Sequence, residues 1–421
     1  MEQKLYNNYV TILRHELVPA LGCTEPIAVA YCAAVAAKTL GNLPDKADIY
    51  CSGNVIKNVK SVTVPNSGGM RGIEAAAVLG MIGGNPDKKL EVLESVTDAD
   101  REAAAAYLKT GKCRAMLQVG EENLYVRCEL FYGEDSAIVE LKKNHDHISR
   151  IEKNGQVLFD APVVAVAEAG DKFLMSLQGI YEFASTCCME DVQETIARQI
   201  SSNRNLAEEG LSHLWGANVG KNYLQYNGKN VRSLAIAMAA AGSDARMSGC
   251  SLPAVINSGS GNQGITVSMP VIVYGDALGV SRETLYRALV LANLISIHQK
   301  KYIGNLSCYC GAVSAATGAA CGIAFLKGDS YDILCDTVTN SVATIGGMIC
   351  DGAKESCAGK IRSAVDTALF ALEQAENNAT YQPGEGIVGD DVEQTICNIG
   401  RVGRVGMAPT DVEVLHIMTA E

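Results

Sequence analysis

Aromatic residues make up 5% of this 421-residue chain, with a single tryptophan, so stacking platforms for bases are unlikely to be built from it. Basic blocks are missing as well. Lys and Arg number 35 against 47 Asp and Glu, a net charge of −12, which disfavours nucleic acid and anionic membrane as partners. Long apolar runs are also lacking. The longest, 27–37 and 288–297, stop at Lys38 or are interrupted by Asn293 and Ser296, short of the ~20 residues of a membrane span. The first eight residues have no apolar signal core, which predicts a cytoplasmic protein. There is no CxxC, no HExxH and no Gly-Lys-Ser/Thr phosphate loop, so zinc-ribbon, thioredoxin and P-loop chemistries find no support.

What the chain has in excess is cysteine, 15 in all. Cytoplasmic thiols stay reduced, and an odd total argues against complete pairing. Most are expected to be small core residues. A metal or cluster site needs only three or four. The hydrophobic content of 48% and charged content of 19% are those of an ordinary globular protein, and the length suggests two to three domains.

The pattern predicts an α+β fold, a mostly α-helical catalytic domain with a smaller α+β domain inserted near the N-terminus. Residues 1–45 read as helical, with a break at Pro19 and Gly22 and a new Ala-rich helix from Thr24. Residues 46–160 alternate short β-rich runs (47–51, 59–64, 90–96, 115–119, 124–131, 137–141) with helical patterns at 73–81 and 98–110. From about 165 onward the pattern is helical and rich in Ala and Gly, with candidates at 172–188, 191–207, 231–241, 282–300, 311–325, 333–345, 360–373 and 410–418. The expected domains are 1–45 with 161–421, and 46–160.

Several cysteines fall at turns. Cys23 precedes a helix, a position that lowers thiol pKa and favours thiolate. Cys308 and Cys310 also precede a helix. The six residues between Cys350 and Cys357 include Gly352 and can bring two thiolates onto one centre. The run from Asn257 to Gly264 is a Gly/Ser turn whose N–H groups can cradle an anion, with Ser258, Gly259, Ser260 and Asn262 the candidates. Lys57 and Arg71 can pair a substrate carboxylate, and Asn54 and Asn58 can orient it. Arg246 near Asp244 reads first as a structural ion pair, and is with Asn54, Lys57 and Asn58 a candidate to hold the substrate carboxylate or amine. Of the six histidines, only His145 is a candidate base. The alternation in His145-Asp146-His147 points both imidazoles toward solvent.

The runs ALGCTEP (20–26), SGNVIKN (52–58), SDARM (243–247), SGSGNQG (258–264), GMICDGAKESC (347–357) and GIVGDDVEQ (386–394), in this order, resemble the L-cysteine desulfidase family, itself related to the alpha chain of iron–sulfur L-serine dehydratase. The resemblance spans essentially the whole chain. It implies a [4Fe–4S] cluster and no pyridoxal phosphate, with Cys310, Cys350 and Cys357 as ligands. Cys23 is either the base or a fourth, displaceable ligand, and His145 is the second choice of base. Cys308, two residues from Cys310, competes for the iron. The implied reaction is β-elimination of L-cysteine to hydrogen sulfide, ammonia and pyruvate. L-Serine is the alternative substrate. A pyridoxal-phosphate lyase using the 258–264 loop and a cluster-bearing redox sensor are the further alternatives. The expected partner is a small amino-acid substrate, with a homo-oligomer allowed and neither nucleic acid nor membrane.

Overall fold

A computed structural model of the chain describes residues 1–161, 169–304 and 306–419. The architecture is α+β and mostly helical, with one six-stranded and one two-stranded sheet among the described residues. The expected boundary at 160/161 adjoins 162–168, which lie outside the described residues.

The chain opens with α1 (Gln3–Glu16), β1 (Pro19–Leu21) and α2 (Thr24–Leu40). There follow β2 (Lys46–Cys51), α3 (Gly53–Val59), α4 (Ile73–Gly83) and α5 (Asp98–Lys109). Five strands come next: β3 (Cys113–Leu117), β4 (Tyr125–Tyr132), β5 (Asp135–Lys142), β6 (Ile148–Lys153) and β7 (Gln156–Asp160). The large sheet has the order β3-β2-β4-β5-β6-β7. Its β2–β3 pair is parallel and the rest are antiparallel.

The helical part comprises α6 (Leu177–Thr186), α7 (Met189–Ser212), α8 (Val219–Asn227) and α9 (Val231–Met247), then β8 (Pro253–Val255). It continues through α10 (Gly261–Leu278), α11 (Arg282–Ile303), α12 (Gly311–Lys327) and α13 (Tyr331–Ile345). It closes with α14 (Cys357–Glu376), α15 (Val392–Arg401) and α16 (Ala408–Thr419). No helix among the described residues is long and apolar enough to cross a membrane.

Two main hydrophobic cores result. The larger unites α1 with the helices from α6 onward. The smaller lies between the large sheet and α2 with α4. Of residues 1–45, α1 packs into the larger core and α2 into the smaller. Residues 24–40 bury their Ala-rich surface against the sheet, and Gly80 of α4 meets α2 so closely that a Cβ there would stand 2.2 Å from the Ala30 carbonyl oxygen. Small side chains on both helices permit that approach.

Two expected strands are absent. Residues 59–64 form the end of α3 and a turn, and 90–96 form tight turns whose Leu93 and Val96 carbonyls accept from Asn66 Nδ2 at 2.9 and 3.3 Å. Their β-branched residues fill the core without a ladder. The short pair β1–β8 was not foreseen. It joins Pro19 to Val255 and Leu21 to Pro253, and so brings the start of α2 beside the start of α10.

Candidate functional site

Four helices begin around one cavity. Cys23 is the N-cap of α2, Ser260 of α10 and Cys310 of α12, while Cys357 is the first residue of α14. None of these four starts has a side-chain cap, whereas α5, α6, α9, α11, α13 and α15 are capped by Thr97, Ser176, Asn230, Ser281, Ser330 and Asp391. Uncapped N–H groups and the positive ends of four helix dipoles thus converge on one space, an arrangement suited to thiolates and anions.

A small β-bridge brings two of the thiols together. Tyr309 pairs with Ile349, Cys310 N donates to the Met348 carbonyl at 2.9 Å, and Cys350 N donates to the Cys308 carbonyl at 2.6 Å. The Cys310 and Cys350 thiols act on each other, which lowers Cys350, helped by the charges of Lys57 and Lys300, and raises Cys310. Cys357 Sγ lies 3.6 Å from the Gly352 carbonyl oxygen. Gly352 has φ +94°, and a Cβ there would stand 2.2 Å from the Lys57 carbonyl oxygen, so the 350–357 loop closes against α3 only with glycine at this point.

On the opposite wall, Cys23 is buried and its Sγ donates to Glu25 Oε2 at 3.2 Å. Burial, with Glu25 beside it, pushes this thiol well up, and Arg246 only partly offsets that. The thiolate expected at a helix start is corrected: Cys23 is a donor to a carboxylate. Burial alone would raise Glu25. The His145 imidazole and the Cys23 bond outweigh this and hold it at about 2. Asn58 Nδ2 donates to Glu25 Oε1 at 3.2 Å, and Thr24 Oγ1 lies 3.0 Å from both Glu25 Oε2 and the Gly259 carbonyl oxygen. His145 is buried behind Glu25, with Nε2 3.8 Å from Oε1. It sits in the turn between β5 and β6, so the expected alternation into solvent does not apply to it.

Arg246, 2% exposed, ends α9 and faces the cavity, and among the described residues its Nε and Nη2 have no hydrogen-bond partner. The expected Asp244–Arg246 pair is absent among the described residues. Residues two apart on a helix point apart. Asp244 Oδ2 instead accepts from Gly220 N at 3.1 Å, and burial pushes its carboxyl up to about 7. Gly261 makes room for the guanidinium, since a Cβ there would stand 2.3 Å from Nε. Asn262 Oδ1 and Gln263 Oε1 are likewise buried in the cavity wall and unpartnered among the described residues.

Of the residues predicted from sequence, Cys23, Asn58, Arg246, Ser260, Asn262, Cys310, Cys350 and Cys357 line this cavity. The others stand elsewhere. Ser258 Oγ donates to Asn257 Oδ1 at 3.0 Å, and Gly259 packs against His145. Lys57 is buried in an ion pair with Asp411 of α16. Asn54 lines a separate cavity with Cys308 and Asp411, which leaves Cys310 rather than Cys308 in the thiol wall. Arg71 pairs with Glu355 at 3.2 Å. Sequence reasoning missed Glu25, Gln263 and Lys300. Glu25 and Gln263 sit inside runs already singled out, whereas nothing marked Lys300.

Four thiols face the cavity, Cys350 and Cys357 from one loop and Cys23 and Cys310 from two other segments, together with the Glu25 carboxylate. Among the described residues, no three His, Cys, Asp or Glu side chains close around a position for one metal ion.

The chain matches the family model of the serine dehydratase alpha chain over residues 87–416. It is 45% identical to a UPF0597 protein of Treponema denticola over 99% of both chains. To a UPF0597 protein of Lachnoclostridium phytofermentans it is 46% identical, over 98% of this chain and 100% of the other. To one of Vibrio campbellii it is 36% identical over 99% of both.

Proposed function

The chain belongs to the serine dehydratase alpha chain family, and from that premise we propose that it is an iron–sulfur lyase that splits L-cysteine into hydrogen sulfide, ammonia and pyruvate. The observation that carries this reading is the convergence of Cys310, Cys350, Cys357 and Cys23 on a cavity that also holds the unpaired Arg246 guanidinium. Thiols as the donors and four helix starts around one cavity fit a [4Fe–4S] cluster held by Cys310, Cys350 and Cys357. When bound, such a cluster supplies an open iron as Lewis acid to the substrate's β-thiol. Thiolate ligation needs a reducing compartment, so a cytoplasmic setting belongs to the proposal.

The rest is work for the protein's own side chains. Arg246 takes the substrate carboxylate on its free Nε and Nη2. Glu25, ionised and facing the same cavity, takes the α-ammonium with Asn58 beside it. The β-substituent then points to the wall of Cys310, Cys350 and Cys357. Cys23, next to both Arg246 and Glu25, is placed to handle the Cα proton. Loss of the Cα proton and of hydrosulfide leaves aminoacrylate, which tautomerises and takes up water to give pyruvate and ammonia.

The test is anaerobic reconstitution with iron and sulfide, followed by L-cysteine. The expected result is sulfide and pyruvate in step, about four iron per chain, and loss of both products and iron in Cys350→Ala. Cys23→Ala keeps its iron and loses turnover if Cys23 handles the proton, and becomes cluster-labile if it is a fourth ligand. Pyruvate from L-serine alone moves the assignment to the dehydratase. Full activity without iron overturns the cluster.

A further inference from the structure

Two glycines at the cavity each carry a planar polar group. A Cβ at Gly261, the first residue of α10, would stand 2.3 Å from Arg246 Nε. A Cβ at Gly311, the first residue of α12, would stand 2.3 Å from Gln263 Cδ, 2.5 Å from its Oε1 and 2.7 Å from its Nε2. The Gln263 carboxamide therefore lies against the Gly311 Cα, one residue on from Cys310, and any side chain at 311 would displace it. Behind it, a Cβ at Gly264 would stand 2.0 Å from the Val255 carbonyl oxygen, so the start of α10 is seated tightly on β8. Gln263 is 6% exposed and lines the cavity, and its Oε1 has no hydrogen-bond partner among the described residues. A buried carbonyl oxygen without a donor is costly, and a ligand that brings the donor removes that cost.

The geometry says which ligand group arrives there. In the reading above, Arg246 takes the carboxylate and Glu25, on the opposite wall, takes the ammonium. The two charged ends of the amino acid are thus met by charged side chains. Gln263 is neutral and stands on the Cys310 side, where the β-substituent points. A carboxamide offers an acceptor and an N–H donor together. A hydroxyl matches it in both senses, whereas a thiol is weak in both. We infer that Gln263 is the specificity-determining residue for the β-position: its carboxamide exchanges hydrogen bonds with a β-hydroxyl, and so admits β-hydroxy amino acids to the cavity beside L-cysteine. The inference rests on the lyase reading above.

The test compares wild type, Gln263→Met and Gln263→Asn, all reconstituted anaerobically. Methionine keeps the length of the side chain without its hydrogen bonds. Asparagine keeps the amide on a shorter stem. Sulfide release from L-cysteine is measured with L-serine or L-alanine as competitor; L-alanine has the same carboxylate and ammonium but no β-oxygen. In wild type L-serine should compete better than L-alanine. In Gln263→Met the inhibition constant of L-serine should rise by about 10- to 100-fold, with that of L-alanine unchanged and the KM of L-cysteine moved far less. Gln263→Asn should recover part of the loss. Iron per chain and melting temperature should stay at wild-type values in both variants. If only L-serine turns over, its KM replaces the inhibition constant and should rise by the same factor. An L-serine constant unchanged in Gln263→Met overturns the inference and leaves the lyase standing. So does equal weakening of L-serine and L-alanine, which would make Gln263 a support of the cavity wall, and so does loss of iron, which would make it a partner of the thiols. A wild type that yields neither sulfide from L-cysteine nor pyruvate from L-serine overturns the lyase reading and this inference with it.

Discussion

A buried arginine with two unpartnered nitrogens is rare, because guanidinium has five donors and desolvating them without acceptors is costly. Arg246 is such a residue, and glycine at 261 is what lets it stay there. Charge-assisted hydrogen bonds are worth about 1.5–3 kcal/mol each, so Arg246→Ala should raise KM by roughly 10- to 100-fold, with a smaller effect on kcat and bound iron unchanged. Arg246→Lys should recover part of the loss, since it keeps the charge but not the fork. Steady-state pyruvate formation with parallel iron assays checks this, and an unchanged KM would remove Arg246 from the carboxylate. At this scale the sequence was legible where a residue type is unusual at its position: a cysteine before a helix, or an arginine in an otherwise small-residue helix. It was not legible for Lys300, which reads as the ordinary basic end of a helix, nor for the neighbour relation between Glu25 and His145, which depends on chain 120 residues away.

Helix starts without caps are the unit from which the cavity is built. Six other helices are capped by a Ser, Thr, Asn or Asp side chain, and these four leave their first N–H groups without one. Their free N–H groups give four segments a reason to meet around negative charge. The 350–357 loop depends on one of the closest approaches in the site, Gly352 against α3. Gly352→Ala should separate Cys350 and Cys357 from Cys310. Iron after reconstitution should fall from about four per chain toward none, with the helical far-ultraviolet signal preserved. Iron retained at wild-type level would mean the loop is positioned by other contacts. Long apolar helices that end at a glycine, such as α11 at Gly304 and α12 at Gly328, were readable from sequence. α10 as a whole was not among the expected helices, because its SGSGNQG run has the composition of a turn, though only its first residues form one. Likewise β6 is half-buried throughout and β7 exposed throughout, with Val157, Leu158 and Phe159 in one run, so neither shows a period-two face.

Over the whole molecule, the C-terminal helix closes onto the part of the chain that follows the first sheet strand. Lys57 of α3 pairs with Asp411 of α16, Lys60 Nζ donates to the Met418 carbonyl, and Gly53 leaves space for Leu415. These contacts join residues more than 350 apart in sequence, and no local pattern announces them. They also reach the site, because the Lys57 backbone abuts Gly352 and its charge acts on Cys350. Lys57 is 1% exposed and Asp411 partly exposed. Removing the acid strands a buried ammonium, which typically costs 3–5 kcal/mol, so Asp411→Ala should lose about 3 kcal/mol of unfolding free energy. Replacing both partners by apolar residues should recover most of it, because a buried pair is worth little more than good packing. Urea unfolding of Asp411→Ala and of the Lys57→Met, Asp411→Leu double variant measures both terms. If the pair also holds the thiol wall in place, the double variant regains stability while its iron stays weakly bound, since the charge beside Cys350 is gone. Equal recovery of stability and iron would instead make the ion pair a purely mechanical tie between the end of the chain and α3.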